Sequence, residues 1–144
     1  MLLNSPLLQE RERGVAIVER LAALKNPVAM YALGTWRIHG ANGFEVDEAS
    51  GIELVSIAAN SGVLPAICDY AFALEEGRGV LRNASLAFQY YILAAFLGDL
   101  DALHDAARCI DEGVGVPINK SVADQLFRLF EDRQSSKKKS ENER

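Results

Sequence analysis

One pattern is written into this chain repeatedly at a fixed interval, and nothing else in the sequence constrains the fold as tightly. When Leu64 to Val80 is set on Leu100 to Val116, residues Ala66, Ala71, Leu74, Glu76, Gly77, Gly79 and Val80 fall on Ala102, Ala107, Ile110, Glu112, Gly113, Gly115 and Val116, every offset being 36. The same shift carries Asp47 onto Asn83 and Asn83 onto Asn119. It also carries Ala58-Ala59 onto Ala94-Ala95, Gly62 onto Gly98, and Ala87 onto Ala123. One copy departs: Gly40 to Asp47 is a residue longer than Gly77 to Asn83, and its GANGFEV loop stands where GRGVLR stands in the next unit. Surface loops absorb such an insertion at small entropic cost.

Each unit reads as two helices. The first runs from Pro27, Pro65 or Leu100 to a glycine, Gly40, Gly77 or Gly113, where a left-handed residue terminates it. Pro27 and Pro65 stand where a first helical turn tolerates proline, and Asn26 and Asp99 are suited to cap. The second helix begins after Asp47, Asn83 and Asn119, short polar residues that accept from the unpaired N–H groups of a first turn. Its apolar positions, such as Leu86, Ala87, Tyr90, Leu93, Ala94 and Leu97, recur at spacings of three and four, an amphipathic helical stripe. Gly14 to Leu24 reads as an orphan second helix that caps one end.

A lone helix pair cannot bury its apolar stripe, so neighbours must stack to make a continuous core. The expected fold is therefore all-α, about seven antiparallel helices, as three helix pairs plus an N-terminal capping helix. One domain is expected over residues 1–133, with the cap at about 7–25 and repeats at about 27–62, 64–98 and 100–133. Residues 134–144, with no apolar side chain to anchor them, are expected to form a frayed, disordered charged tail.

Composition narrows the function. The net charge is −5, with 20 acidic against 15 basic residues, so a polyanion is repelled on average and no nucleic-acid partner is expected. Lys137-Lys138-Lys139 is one short run flanked by acids. No segment approaches the ~20 apolar residues of a membrane span, and the start lacks a basic region leading into an apolar stretch. A cytoplasmic protein is expected. Cys68 and Cys109 have no metal spacing and are too few for a disulfide framework, which leaves them as thiols packed within helices.

Ala29, Leu33 and Gly34 form an Ala-x-x-x-Leu-Gly pattern. The Gly-x-Gly-Val loops are Gly77, Gly79, Val80 and Gly113, Gly115, Val116, and the Ala-Ala-x-x-Gly endings are Ala58, Ala59, Gly62 and Ala94, Ala95, Gly98. Over roughly residues 14–130 this resembles the Sel-1-like repeat family, a relative of the tetratricopeptide repeat. Arg37 stands where that family usually has tyrosine, Tyr70 and Ala106 replace its leucine, and the first loop lacks Gly-x-Gly-Val. The resemblance implies a right-handed α–α superhelix whose concave face binds a protein or peptide, in adaptors, regulators, assembly factors and some bacterial immunity proteins. Function inferred from a fold is an analogy.

If the tetratricopeptide geometry carries over, the first helices line the concave face with Tyr31, Thr35, Ile38 and His39, then Cys68, Phe72, Glu75 and Glu76, then His104, Arg108, Asp111 and Glu112. Aromatic anchors and an acidic rim of Glu75, Glu76, Asp111 and Glu112 would favour a basic segment of a protein partner. Trp36 falls on the opposite side, where it packs between helices.

Other chemistries fit less well. A hydrolase using Cys68 with His104, or His39 with Glu76, has no group to orient the imidazole and no oxyanion site. A metal held by His39 and His104 needs further ligands from separate repeats. The sequence therefore predicts no enzyme activity, no cofactor and no metal. A protein-binding adaptor or regulator leads, with a toxin-neutralising immunity protein as the alternative.

Overall fold

The computed structural model describes residues 5–144, so the first four residues of the expected domain lie outside the described part. Seven helices follow one another: α1 (Pro6–Ala23), α2 (Pro27–His39), α3 (Glu48–Asn60), α4 (Leu64–Glu76), α5 (Ala84–Phe96), α6 (Leu100–Glu112) and α7 (Lys120–Asn142). No strand occurs among the described residues. Each helix packs chiefly on its neighbours in sequence, which is the one-dimensional contact pattern of a solenoid.

The caps fall at the phase the sequence sets. Asp47, Asn83 and Asn119 accept from the N–H groups of Ser50, Leu86 and Val122 at 3.1, 3.0 and 3.1 Å. Asn26 and Asp99 do the same for α2 and α6, at 3.0 and 2.7 Å. Gly40, Gly77 and Gly113 close the first helices in the left-handed conformation, with φ of 68°, 70° and 76°. Helix α4 alone lacks a side-chain cap; Val63 occupies the position, and Pro65 in the first turn removes one of the N–H groups that would need a partner.

Small residues set how closely helices approach. Gly34 faces Gly51 at the α2–α3 crossing, where a methyl group on Gly51 would lie 2.6 Å from the Gly34 carbonyl oxygen. The corresponding pairs Ala71 with Ala87 and Ala107 with Ala123 are buried. Between units the core runs through Val55, Ala58, Ala59, Ala66, Ile67, Ala94 and Ala102. A second cluster joins the second and third units through Leu74, Tyr91 and Cys109.

Two local features differ from a uniform repeat. In the first unit, Phe44 from the longer loop stacks on Trp36 at 6.2 Å between ring centroids, with Arg37 over the Phe44 ring at 6.0 Å. Trp36 thus packs between elements, as its phase predicts. At the other end, α7 continues to Asn142 through the segment expected to be frayed, although every residue from 131 onward is exposed. The physical reason is that α7 is already nucleated by its packed first half. Adding Lys, Arg, Gln and Glu residues to an existing helix needs no new nucleus. Because the extension buries nothing, ending the chain after Arg133 is expected to reduce the helical circular dichroism signal while shifting the thermal midpoint by no more than about 1 °C. A larger shift would show that the extension packs on the body.

Candidate functional site

Helices α2 and α4 lie side by side as the first helices of successive units, and a cavity of about 440 Å³ opens between them. Its walls come from Thr35, Ile38 and His39 of α2 and from Asp69, Phe72 and Ala73 of α4. The start of α3 contributes Glu48 and Ile52, and the loop after α4 contributes Arg78. Ile52 and Ala73 are buried at 6% and 3% exposure, forming an apolar floor, while Phe72 is 48% exposed at the wall. Phe72 thus presents an aromatic ring to solvent directly beside that apolar floor.

The polar groups around this cavity are mutually arranged. Tyr31 donates to the Asp69 carboxylate at 2.6 Å, tying α2 to α4. Burial and that carboxylate together push the Tyr31 phenol above its ordinary range, so it remains a donor at any physiological pH. Arg78 approaches Glu48 at 3.8 Å across an exposed edge. The cavity therefore offers an apolar floor within a mixed-charge mouth, the general make-up of a ligand-binding cleft.

The expected acidic rim is rearranged. Glu75 accepts from Tyr91 at 2.8 Å and from Arg108 at 2.9 Å, and its side chain is only 12% exposed. Burial opposes its charge, but the hydrogen bonds from Arg108 and Tyr91 outweigh that and hold the carboxyl below the usual carboxylate range. Arg108 also reaches Asp105 at 3.5 Å and Glu112 at 3.7 Å, and Asp111 pairs with Lys120 at 2.9 Å. Glu75, Arg108, Asp111 and Glu112 are therefore paired with one another or with α7, although the Glu112 side chain stays 55% exposed. Glu76 is exposed and takes part in none of these pairs.

No hydrogen bond joins Cys68 to His104 among the described residues. His104 packs edge-on against Phe127 and Phe130 of α7, at 5.3 and 5.0 Å. Burial, then the charge and hydrogen bonding of the Asp99 carboxylate, push the Cys68 thiol up to about 12. A nucleophilic cysteine needs the opposite shift. Cys109 is buried, and burial pushes its thiol up to about 11. Among the described residues no group of three or more His, Cys, Asp or Glu side chains is arranged to hold a metal ion, and none of the described helices is long and apolar enough to cross a membrane.

Of the residues read from helical phase, Thr35, Ile38, His39 and Phe72 come together at one cavity, and Tyr31 braces its wall. Cys68, Glu75, Glu76, His104, Arg108, Asp111 and Glu112 lie outside it. Asp69, Ala73, Glu48, Ile52 and Arg78 join the cavity without having been marked by helical phase. A signal for Asp69 exists in the sequence, since it lies three residues before Phe72 and so shares its helix face.

A family model described as the Sel1 repeat matches residues 27–63, 64–99 and 100–129. The chain belongs to the Sel1 repeat family. Sel1 repeats form helical scaffolds that generally serve as protein–protein interaction modules. The structure is similar to the crystal structure of a Sel1 repeat protein from Oxalobacter formigenes, with a TM-score of 0.74 at 23% identity, covering 90% of this chain and 98% of that one. It is also similar to a protective antigen present in uropathogenic Escherichia coli strains that displays an SLR fold, with a TM-score of 0.74 at 28% identity. That match covers 79% of this chain but 24% of the antigen, so the chain spans about a quarter of its length. No curated protein matches the sequence significantly.

Proposed function

We propose that this chain binds a protein or peptide partner by seating one apolar side chain in the cavity between α2 and α4, as a non-enzymatic adaptor or regulator. The observation that carries this reading is Phe72, half exposed beside a preformed apolar floor on the face that the repeats leave free. Exposed Glu76 on the same helix, with an overall charge of −5, favours a basic residue next to the anchor. Cys68 and Cys109 are both free thiols, which fits work in the reducing cytoplasm of a bacterial cell.

Two variants test the site. Phe72→Ala removes an exposed anchor and Thr35→Trp fills the cavity; each is expected to weaken partner capture by at least roughly tenfold, equivalent to ~1.4 kcal/mol. Both should keep the wild-type helical signal, because neither residue belongs to the buried core. Glu76→Lys is expected to weaken capture less and to reduce its salt dependence. Undiminished capture by folded Phe72→Ala and Thr35→Trp proteins would remove the assignment.

A further inference from the structure

Helix α5 contains no Asp, Glu, Lys or Arg, and beyond the exposed Ser85 and Gln89 of its first half its C-terminal half is apolar on the outward side as well as the inward one. Ile92, Leu93, Phe96 and Leu97 are 40%, 42%, 89% and 50% exposed. At the equivalent positions α3 and its cap carry Ser56, Ile57, Asn60 and Ser61, and α7 carries Arg128, Leu129, Asp132 and Arg133. The apolar character is therefore peculiar to the middle unit and is not demanded by the repeat. The one position that is aliphatic in all three helices holds Ile57, Leu93 and Leu129, at 41%, 42% and 38% exposure. A row of equivalent side chains thus crosses the outer face, and Ile92, Phe96 and Leu97 widen it at the centre. No residue of α5 lines the cavity between α2 and α4.

A helix half that is apolar on its outward as well as its inward side is normally covered on both. We propose that this face joins two copies of the chain in a two-fold symmetric dimer, with Phe96 of each copy packed against Ile92, Leu93 and Leu97 of the other. Area supports a second copy as the occupant. The six exposed side chains present on the order of 600 Å² per copy, so two copies would bury about 1,200 Å² in total, the lower edge of a specific interface, before any polar rim is added. Charge supports it too. A chain of net charge −5 repels its own image wherever charged surfaces meet, and α5 is a surface where two copies meet without opposing like charges. An aromatic centre depleted of charge is the composition of a homodimer core, and it offers a basic peptide nothing to pair with. Isologous pairing also uses the same patch twice, which closes the assembly at two and leaves both α2–α4 cavities open.

Sedimentation of the purified full chain over a range of concentrations tests this. The wild type is expected at twice the mass of one chain at the upper end. Phe96→Glu is expected to weaken self-association by about 100-fold, because it sets a charge against apolar side chains. At 89% exposure Phe96 supports no core, so circular dichroism should be unchanged. Phe72→Ala, in the partner cavity, is expected to stay dimeric, which separates the two surfaces. A wild type that sediments as a monomer throughout would overturn the proposal. So would a dimer that Phe96→Glu leaves intact, or an unrelated protein held by α5 of a monomeric chain.

Discussion

Replacing Gly115 with alanine is expected to lower the free energy of unfolding by at least ~3 kcal/mol, or about 6–12 °C in midpoint, while Gly77→Ala costs ~1–2 kcal/mol. Both glycines have a φ of 70°, so the left-handed strain that an L side chain suffers is common to the two substitutions. Their surroundings differ. A Cβ at Gly77 would meet the Arg82 Cβ at 3.3 Å, which a flexible neighbour can accommodate. A Cβ at Gly115 would overlap the Ala84 carbonyl group and the Ser85 nitrogen at the start of α5, where only backbone is available to move. Gly79 makes the equivalent approach at the start of α3, where a methyl group in its place would meet the Glu48 carbonyl oxygen at 2.6 Å. The second glycine of each Gly-x-Gly-Val loop is therefore the point where one unit rests on the unit before it. In a solenoid that interface term couples the folding of neighbours, so Gly115→Ala should also broaden the denaturation curve as α6 and α7 melt ahead of the rest. Equal losses for the two variants, followed by urea titration and circular dichroism, would show that the loop does not bear on the stacking.

The loop explains why the fold is so legible. Short-range signals specify each helix pair: Asp47, Asn83 and Asn119 cap at one phase, glycines terminate at another, and both act within a few residues. The close approach of Gly115 to α5 spans a longer separation, yet the in-phase repetition of Gly79 and Gly115 marks it in the sequence. The extension of α7 escapes a reading that equates order with buried apolar residues. A helix already started propagates on backbone hydrogen bonds and side-chain propensity alone.

The candidate site is legible only in part, and the division has a physical cause. Thr35, Ile38, His39 and Phe72 lie on first helices, whose exposed face follows from a period of 3.6 residues within one element. Glu48, Ile52 and Arg78 reach the cavity from a second helix and a loop. Their placement depends on the rotation between units, which no single helix encodes. The same rotation decides the fate of the acids. Glu75 and Arg108 sit on first helices at nearly equivalent positions, 33 residues apart, and read from either helix alone both face outward. Stacking brings them together, and each satisfies the other before any partner arrives.

That pairing leads to the second large effect. Glu75→Ala is expected to cost ~1–3 kcal/mol, because it leaves the Tyr91 hydroxyl without its acceptor and leaves the half-buried Arg108 guanidinium only its longer contacts to Asp105 and Glu112. Glu75→Gln, which keeps an acceptor oxygen but not the charge, is expected to cost ~1 kcal/mol or slightly more. The pH dependence identifies the cause. The Glu75 carboxyl is held below its ordinary value of 4.5 in the folded protein. Its contribution is therefore fully present above that unfolded value and is lost as pH falls through the lower folded one. Asp105, pushed up chiefly by burial, contributes the opposite slope, since the fold disfavours its charged form. The raw acid denaturation curve mixes the two with every other carboxylate, whereas the difference in stability between wild type and Glu75→Gln reports the cluster of Glu75, Arg108 and Asp105, whose two carboxylates titrate together. That difference should shrink steadily on acidification below about pH 5, and it should be constant from about pH 6 to about pH 8. A difference that persists unchanged into acid would mean that the glutamine disturbs packing, and that the Arg108 charge is solvated by water instead of being held by Glu75.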